Sequence, residues 1–475
     1  MLPELVSPDG DAHVGSNGEK FSLLEANKKI YPRSVSGFFS KWRWGLVILT
    51  QLVFYGLPWL QWGERQAVLF DLEARRFYIF GLVLYPQDFI YLSGLLVIAA
   101  LSLFLFTAVA GRLWCGFSCP QTVYTEIFLW IEHRIEGDRS ARLRRDAELM
   151  SGNKFLRKGS KHLVWLLLSL WTGFTFVGYF TPILELGAEF ASFQLSAWEM
   201  FWVFFYGSAT YGNAGFLREQ VCKHMCPYAR FQSAMFDHDT LTVTYDELRG
   251  EPRGARSRKA DPAQLKLGSC VDCSLCVQVC PPGIDIRKGL QYECIGCGAC
   301  ADVCDTVMDK MGYARGLVKF STQNAITNGW NRAETIQQVL RPRVLVYAAT
   351  LTGIVVALAV SLTLRVPFKV DVVRDRNAVV REVDGGLLEN VYRMQLMNAT
   401  EVNQEFRLTV HGLPDVRLAS PDRVAVGATQ SRWVAVRVQV PVDASKSGSY
   451  PIQFEIEALS GTGHVTEKSV FLLPR

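Results

Sequence analysis

Eight of the twelve cysteines lie within residues 270–304, and they repeat one spacing twice. In each run, three cysteines stand two residues apart and a fourth follows after three residues: Cys270, Cys273, Cys276, Cys280, then Cys294, Cys297, Cys300, Cys304. Such a run wraps three thiolates around one cubane [4Fe–4S] cluster, while its fourth cysteine binds the other cluster. The spacing therefore predicts two clusters with crossed ligands. One is held by Cys270, Cys273, Cys276 and Cys304, and the other by Cys294, Cys297, Cys300 and Cys280.

Two other interpretations of these cysteines fit less well. Zinc ribbons use paired C-x2-C knuckles, not three cysteines per run with a fourth after three residues. Disulfides need an oxidising compartment, whereas the charge pattern described below places this segment in the cytoplasm. The runs differ at one position, because Asp305 stands where the first run has Pro281. That difference can alter hydration near one cluster, but it removes no ligand.

The composition indicates a chain that combines membrane spans with soluble parts. Hydrophobic residues make up 49% of the 475 residues and charged residues 20%. The net charge of +5 is modest and no basic–aromatic stripe accompanies it, so no nucleic-acid partner is expected. The first forty residues are polar, so no cleavable signal peptide is expected.

Five apolar runs are long enough to cross a bilayer, which takes roughly 20 residues. A buried core helix is the alternative for any single run, but five such runs favour membrane spans. The fourth run is interrupted by Gly207, Tyr211, Gly212 and Asn213. The predicted spans are residues 42–62, 88–110, 162–183, 197–217 and 344–364. An α-helical transmembrane bundle of about five spans is therefore expected.

The distribution of Lys and Arg orients this bundle. Residues 134–161 carry nine Lys and Arg, whereas residues 185–196 carry none. Because cytoplasmic loops are enriched in these residues, the N terminus, residues 111–161 and residues 218–343 are predicted to be cytoplasmic. An odd number of spans then places the C terminus on the opposite side, which is the periplasm in a Gram-negative bacterium.

A shorter cysteine motif also occurs twice. The sequence C-x3-C-P closes each pair of predicted spans just past the cytoplasmic interface, at Cys115, Cys119 and Pro120 and again at Cys222, Cys226 and Pro227. If the segments are helical, a spacing of four places both sulfurs of a pair on one face. The proline after the second cysteine then ends or kinks the helix. The two pairs could meet as a four-thiol site at the membrane surface.

Three roles are open for these four thiols: a metal site, a redox-active dithiol, or the packing of ordinary membrane cysteines. Their equivalent positions in two repeats favour a redox or metal role. His224 and Met225 lie between Cys222 and Cys226 and add imidazole and thioether donors. Soft sulfur donors favour Cu(I), which makes copper a further candidate metal. Ordinary interfacial side chains are an equally good interpretation of His224 and Met225.

The predicted domains follow from these boundaries. They are a cytoplasmic tail (1–41), a four-helix transmembrane region with the two C-x3-C-P repeats (42–230), a linker (231–269), a ferredoxin-like domain with its return segment (270–343), a transmembrane helix (344–364) and a periplasmic domain (365–475).

The sequence predicts that the last domain is all-β. Its period-2 runs are separated by Gly, Asn, Pro and Ser turns, which predicts an antiparallel sandwich of immunoglobulin type. The predicted strands are Phe368–Arg374, Val391–Met397, Glu405–Val410, Trp433–Val440, Tyr450–Glu457 and Val465–Leu472. The fold class is thus a multidomain membrane protein with a helical bundle, a cytoplasmic dicluster ferredoxin-like domain and a C-terminal immunoglobulin-like sandwich.

The order of motifs resembles the CcoG/FixG/RdxA family of accessory proteins of cbb3-type cytochrome oxidase. Besides the cysteine motifs and the sandwich, the resemblance includes Ile30-Tyr31-Pro32-Arg33 and Gly316-Leu-Val-Lys-Phe-Ser321, and it covers nearly all of residues 28–475. It implies reduction of Cu(II) to Cu(I) for the oxidase copper centre, with electrons that pass through the clusters. The family's cluster cysteines correspond to the eight named above, and its C-x3-C-P cysteines to Cys115, Cys119, Cys222 and Cys226.

The resemblance also implies a multi-pass protein of the bacterial inner membrane, with the N terminus and clusters in the cytoplasm and the last domain in the periplasm. Expected partners are the oxidase assembly machinery, copper transporters or chaperones, membrane lipid and an unidentified cytoplasmic electron donor. Two other functions stay open: a non-enzymatic electron-transfer or assembly factor, and a quinol-linked relay. Protein in vesicles, given a reductant, should produce a Cu(I)-chelator signal only if it is a cupric reductase.

Overall fold

The computed structural model describes residues 30–473, apart from 261–263, 340, 376–379, 384, 443–445 and 462. Most of the predicted N-terminal tail therefore lies outside the described residues, including its basic residues Lys28 and Lys29. The chain divides into two compact units. The first contains the chain up to Leu60 and Gly94–Ile354, and the second contains Gln61–Ser93 and Val355–Arg475.

The described helices lie mainly in the first unit. In chain order they are α1 Phe38–Gly56, α2 Phe89–Ala110, α3 Leu113–Phe117, α4 Pro120–Glu136, α5 Arg139–Ala147, α6 Gly152–Val177, α7 Ile183–Ala191, α8 Ala197–Gly212, α9 Pro227–Met235, α10 Glu247–Gly250, α11 Leu275–Gln278, α12 Ala299–Met311, α13 Gln323–Thr327, α14 Arg332–Val339 and α15 Pro342–Thr363. Two π-helical turns, Asn213–Leu217 and Val221–Met225, follow α8.

Of the five predicted membrane spans, two coincide with helices that are candidates for crossing a membrane. Among the described residues, only α15 and the stretch Pro86–Ala110, which contains α2, are long and apolar enough to cross a membrane. The other three predicted spans correspond to helices that do not meet both requirements. The first turns of α6 carry several Lys and Arg, and α8 has only 16 residues. Helix α1 carries Lys41 and Arg43 in its first two turns.

Aromatic packing joins α4, α6 and the turn after α8. The rings of Phe128 and Trp165 stack with centroids 5.0 Å apart, and the indole of Trp165 donates to the Phe128 carbonyl at 3.2 Å. A Cβ built on Gly215 would lie 3.3 Å from the Trp165 ring. This packing holds the start of the second C-x3-C-P repeat against the helix that follows the first.

The ferredoxin-like part is closed by a short antiparallel sheet. Strand β6 (Thr242–Tyr245) pairs with β7 (Val318–Ser321), which brings together segments on either side of the cysteine runs. The two strands and α12 share a core with Ile286, Met308 and Leu317. The predicted linker 231–269 therefore contributes a strand to the cluster-bearing fold.

The second unit contains an immunoglobulin-like sandwich, as predicted. One sheet has the order β12-β14-β10-β8 with β9 beside β10, and the other has the order β13-β11-β15-β16. The strands are β8 Phe368–Arg374, β9 Arg381–Val383, β10 Leu387–Asn398, β11 Gln404–His411, β12 Arg417–Leu418, β13 Arg423–Val426, β14 Ser431–Pro441, β15 Gly448–Ala458 and β16 His464–Leu473. All six predicted strands are present, whereas the short β9, β12 and β13 were not predicted.

The segment between α1 and α2 also belongs to the second unit. It forms β1 Gln61–Trp62 with β2 Arg65–Gln66, and a three-stranded sheet of β3 Val68–Asp71, β4 Arg76–Ile79 and β5 Leu82–Leu84. Leu69, Tyr78 and Val83 share a buried cluster with Met397 at the end of β10. The Tyr85 hydroxyl donates to the Asn398 carbonyl at 2.9 Å. No strand was predicted in this segment, because its runs are short and of mixed charge.

Candidate functional site

Four of the predicted cluster cysteines surround one cavity of about 380 Å³, which we call site A. They are Cys270, Cys273, Cys276 and Cys304. Cys276 precedes Cys280 by four residues, whereas Cys304 comes from the second run, on α12. Apolar side chains that include Val303, Met308 and Leu317 form much of the remaining wall.

The other four cysteines surround a second cavity of about 350 Å³, site B. They are Cys280, Cys294, Cys297 and Cys300, and Cys276 also reaches its wall. Cys280 is the last cysteine of the first run, so each cavity combines three cysteines of one run with the fourth of the other. This is the crossed grouping that the spacing predicts.

The donor set of both cavities suits iron–sulfur clusters. Burial raises the pKa of the Cys294 thiol to about 11 and that of Cys304 to about 12, and neighbouring cysteines contribute to the shift at both thiols. Four such thiols stay protonated unless a cationic group compensates their charge. Iron provides that charge because it binds thiolates and displaces their protons.

The two runs share a backbone conformation as well as a spacing. The second and fourth residues after the first cysteine have positive φ in both runs. They are Asp272 (51°) and Ser274 (54°) at site A, and Gly296 (67°) and Gly298 (71°) at site B. Residues with side chains occupy this region uncommonly, and Asp is among those that tolerate it. The turns that present the sulfurs are therefore built alike at the two sites.

Site B is packed directly against the first C-x3-C-P repeat. A Cβ built on Gly116 would lie 2.8 Å from both Cα and N of Cys297. A Cβ on Gly296 would lie 3.1 Å from the carbonyl carbon of Arg112. Only glycine permits such approaches, because any side chain would meet backbone atoms that cannot turn away.

Arg112 joins site B to both C-x3-C-P repeats. Arg112 is buried, and its guanidinium donates to the carbonyls of Tyr292 and Cys294. These two residues belong to the loop 291–298 before α12, which we call the site B loop. The same guanidinium donates to the carbonyl of Ala229 on α9. Buried hydrogen bonds of this charged kind are among the stronger ones in proteins. One side chain thus holds three segments in a fixed arrangement.

The start of α1 is attached to the same side of the ferredoxin-like part. The Asp302 carboxylate on α12 accepts the backbone N–H groups of Phe39 at 3.1 Å and Ser40 at 2.8 Å. It therefore acts as an N-cap for a helix more than 260 residues away in sequence. Immediately upstream, the Arg33 N–H donates to the Gln278 carbonyl at 2.8 Å.

The two C-x3-C-P motifs have the same local structure, which differs from the one predicted. Cys115 lies on α3 and Cys222 on the second π-helical turn, whereas Cys119 and Cys226 are the N-caps of α4 and α9. The paired sulfurs therefore do not share one continuous helical face, because each proline starts a new helix after its cysteine. Proline is favoured at that first position.

The four thiols of the two motifs lie near enough to influence one another's charge, and we call them the four-thiol group. Burial raises the pKa of Cys222 to about 12, and electrostatic repulsion from Cys119, Cys115 and Cys226 adds to the rise. Burial raises the pKa of Cys115 to about 11, although a hydrogen bond with Gln232 opposes the shift. The Cys115 Sγ lies 3.5 Å from Oε1 of Gln232.

Polar contacts clamp the two repeats to each other. The Gln121 side chain donates to the carbonyls of Asn213 at 2.9 Å and Arg218 at 3.0 Å. Glu132, further along α4, is fully buried and pairs with Arg218 at 2.9 Å and Arg142 at 3.3 Å. Removing one partner of such a buried pair leaves an uncompensated charge, which is strongly destabilising.

His224 and Met225 are exposed on the π-helical turn between Cys222 and Cys226. Among the residues that the structure describes, no three His, Cys, Asp or Glu side chains are gathered tightly enough for a single metal ion. This holds for sites A and B as well as for the four-thiol group. A four-iron cluster differs from a single ion in that it places each thiolate on a separate iron.

Several residues that organise the site were not predicted, namely Arg112, Gly116, Gln121, Gln232 and Asp302. One available signal was the pair of glycines in the second cysteine run, at positions where the first run has Asp and Ser. Another was the glycine inside the first C-x3-C motif, where the second motif has Lys223.

Three family models match separate parts of the chain. A 4Fe-4S dicluster domain matches residues 217–323, and a 4Fe-4S binding domain matches residues 92–137. Residues 358–474 match a model for the IG-like fold at the C-terminal of FixG. The description of that model names FixG as a proposed oxidoreductase. The chain therefore combines iron–sulfur domains with the FixG-type C-terminal domain.

Whole-chain relatives agree with these matches. Nitrogen fixation protein FixG of Rhizobium meliloti is 35% identical over 94% of this chain and 93% of its own length. Protein RdxB and protein RdxA of Cereibacter sphaeroides are 36% and 39% identical, over 95% and 83% of this chain and 97% and 85% of their own lengths. A crystal structure of a FixG-related protein from Vibrio parahaemolyticus is 27% identical, with a TM-score of 0.21, over 23% of this chain and 97% of that one. At these identities, over nearly the whole length, the chain belongs to the CcoG/FixG/RdxA family.

Proposed function

We propose that this protein is a membrane-bound iron–sulfur oxidoreductase that reduces Cu(II) to Cu(I) for assembly of the copper centre of cbb3-type cytochrome oxidase. The observation that carries the proposal is the contact of the site B loop with the first C-x3-C-P repeat, at Gly116 and Cys297. A cluster held at site B would then be the one next to the four-thiol group.

In this proposal, Cys270, Cys273, Cys276 and Cys304 bind one [4Fe–4S] cluster, and Cys280, Cys294, Cys297 and Cys300 bind the second. When bound, such clusters supply one electron at a time. The surrounding residues exclude water from most of the site B ligands, and Arg112 keeps the site B loop against both repeats. The buried guanidinium also places a positive charge near Cys294 and Cys115, which favours their thiolates.

The four-thiol group is proposed to receive copper as substrate. Each Cu(II) takes one electron to become Cu(I), and thiolates bind Cu(I) more tightly than Cu(II). Binding of Cu(I) by thiols of this group would therefore favour the reduction. The N-cap positions of Cys119 and Cys226 assist, because a helix N-terminus stabilises a nearby negative charge.

The proposed location is the bacterial inner membrane, with a cytoplasmic N terminus and cluster domain and a periplasmic C-terminal domain. The shared core of the β3–β5 sheet and the sandwich supports part of this arrangement. Segments that fold together must lie on the same side of a membrane, as the proposal requires for residues 63–87 and 365–475. Proposed partners are the oxidase assembly machinery and copper transporters or chaperones.

The proposal is tested with Cys226→Ser and with Ser substitutions at all four thiols. Both variants should retain about eight irons per chain, the content of two cubane clusters, and should lose Cu(II) reduction measured with a Cu(I) chelator. Ser118→Ala, within the first motif, is the matched control and should behave as wild type. Normal reduction by the fourfold variant would end the proposal for these thiols. If these variants also lost iron, the four thiols would instead be iron ligands.

A quinol-linked relay is the second candidate, and one cavity favours it. A cavity lies against Val279, Pro281 and Ala299, with Trp44 and Trp130 in its wall. Aromatic side chains are common in the walls of small-molecule sites. A water-soluble quinone should quench the fluorescence of wild type more than that of Trp130→Leu, with Trp198→Leu as the exposed control. Equal quenching of all three proteins would remove this candidate.

A further inference from the structure

We infer that site A is where electrons enter, and that its surface receives a small acidic one-electron carrier protein from solution. The inference concerns the donor and does not depend on copper as the acceptor. It requires that site A holds a cluster, which the proposed function also assumes. We call the surface the donor face, defined by Cys273 and five cations: Arg253, Arg258, Lys259, Lys266 and Lys288.

Solvent exposure distinguishes site A from the other cysteine groups. Cys273 is the only exposed cysteine of the twelve, all of which are described. Its neighbour Asp272 is also exposed. Electron transfer between proteins requires a close approach, so the exposed ligand marks the place where a donor can come nearest to a cluster.

The other cluster site is not available in the same way. The site B loop is covered at Cys297 by Gly116 and at Gly298 by Phe39, whose Cγ would lie 2.7 Å from an added Cβ. Arg112 further attaches this loop to α9 through Ala229. A soluble protein that approaches the ferredoxin-like part would therefore meet site A first.

The loop that leads into site A supplies the charge. Its backbone is tied to the first ligand, because the Gly254 N–H donates to the Cys270 carbonyl at 3.3 Å. The Arg256 guanidinium donates to the same carbonyl at 3.2 Å and to that of Gly268 at 2.6 Å. The loop that carries Arg253, Arg258 and Lys259 is thus attached to the first ligand of site A.

The sign of the charge identifies the partner. Among the described residues of 251–288, the five cations of the donor face are exposed, against two exposed carboxylates, Glu251 and Asp272. Glu251 pairs with Arg253 at 3.4 Å and Asp272 with Arg287, and the five cations still exceed the two exposed carboxylates by three. Complementary charge steers association and raises its rate, so an acidic carrier is favoured over a basic one.

Carboxylates that follow Cys304 do not reverse this balance. Asp305 accepts the Gly316 N–H at 2.8 Å, and Asp309 forms an ion pair with Arg315 at 2.7 Å. Asp309 is thus paired with a cation, whereas Asp305 lies near Cys304 and keeps its negative charge. Even with Asp305 counted, the five cations of the donor face outnumber the carboxylates Glu251, Asp272 and Asp305.

The test compares two charge-reversal variants of the full-length, cluster-loaded protein. Arg258→Glu with Lys259→Glu alters the donor face, and Arg134→Glu with Arg144→Glu makes the same charge change on α4 and α5. An acidic [2Fe–2S] ferredoxin, reduced beforehand, is mixed with each protein, and the second-order rate of cluster reduction is followed by visible absorbance. Dithionite, which needs no docking surface, checks that the clusters are intact and reducible.

The donor-face variant should react with the ferredoxin about tenfold more slowly than wild type at low salt, and the two rates should converge at high salt. Its reduction by dithionite, and all rates of the control variant, should be unchanged. A rate that is independent of salt in wild type, or equal loss in both variants, would overturn the inference. Normal reduction by ferredoxin without any Cu(I) formed would leave the inference standing and contradict the proposed function.

Discussion

Sites A and B have the same ligand spacing, the same positive-φ positions and nearly the same cavity volume, but their surroundings are opposite. Site A has Asp272 and Ser274 at those positions and exposes Cys273. Site B has Gly296 and Gly298 there, because Arg112 and Phe39 leave no room for a side chain. The comparison teaches that the cysteine spacing determines the turn at both sites. The residues between the cysteines differ because other segments pack against the turn at site B and require glycine there.

Removing one cysteine from each site should have the largest effect on this comparison. Cys276→Ser should impair the site A cluster and Cys280→Ser the site B cluster, although both cysteines belong to the first run. Each variant should lose about four of about eight irons per chain, measured by metal analysis with EPR to identify the remaining cluster. Loss of the same EPR signal in both variants would show that the ligands are not crossed.

Separating site B from the four-thiol group should have the second-largest effect. Gly116→Leu inserts a side chain where even a Cβ would lie 2.8 Å from the backbone of Cys297. Reduction of Cu(II) should fall at least tenfold, while iron content and reduction by dithionite persist, because a small displacement between redox partners slows transfer. Gly159→Leu is the control, since nothing lies within 4 Å of its added Cβ. An active Gly116→Leu protein would contradict the proposed contact.

Loss of the Arg112 side chain should weaken site B more than site A. Arg112→Gln removes a buried cation and leaves the Tyr292 and Ala229 carbonyls without their donor, at a cost of about 1–3 kcal/mol for each unsatisfied group. In a urea titration followed by cluster absorbance and EPR, the site B signal should disappear earlier than in wild type. Arg134→Gln, on the exposed side of α4, should leave both signals unchanged. Equal loss at both sites would contradict the asymmetry.

Exchanging the positive-φ residues between the two sites should have a smaller effect on stability than the changes above. Gly298→Ser gives site B the residue found at site A, and should destabilise site B by about 1–3 kcal/mol because positive φ and the contact with Phe39 both oppose it. The reciprocal Ser274→Gly should be tolerated. Both are measured by the same titration. An equal loss of stability in Gly298→Ser and Ser274→Gly would mean that neighbouring segments restrict the two turns equally.

The smallest effect is expected from the remote cap of α1. Asp302→Ala removes the acceptor of two backbone N–H groups and should cost about 0.5–2 kcal/mol, with site B again affected first. Asp309→Ala, on the exposed side of the same helix, is the control. Hydrogen exchange at Phe39 and Ser40 should increase in Asp302→Ala only.

Much of this arrangement followed from local patterns in the sequence. Cysteine spacing predicted the grouping into two cavities, and strand periodicity predicted the six long strands of the sandwich. Both depend on residues close together in the chain. The contacts of Arg112 with Tyr292 and of Asp302 with Phe39 join segments 180 and 263 residues apart, so no local pattern marks them. The helical face predicted for each C-x3-C pair was wrong, because proline began a helix where the spacing alone suggested continuity.

The sheet between α1 and α2 has a consequence for the order in which the chain can be completed. Tyr85 meets its partner Asn398 only 313 residues later in the sequence, which takes roughly 15–60 s at a ribosomal rate of about 5–20 residues per second. During that time the apolar faces of Leu69, Tyr78 and Val83 have no sandwich to cover them. The early segment therefore stays without its partner for much of synthesis. A stop codon late in the reading frame would consequently harm a part of the protein made at the very beginning.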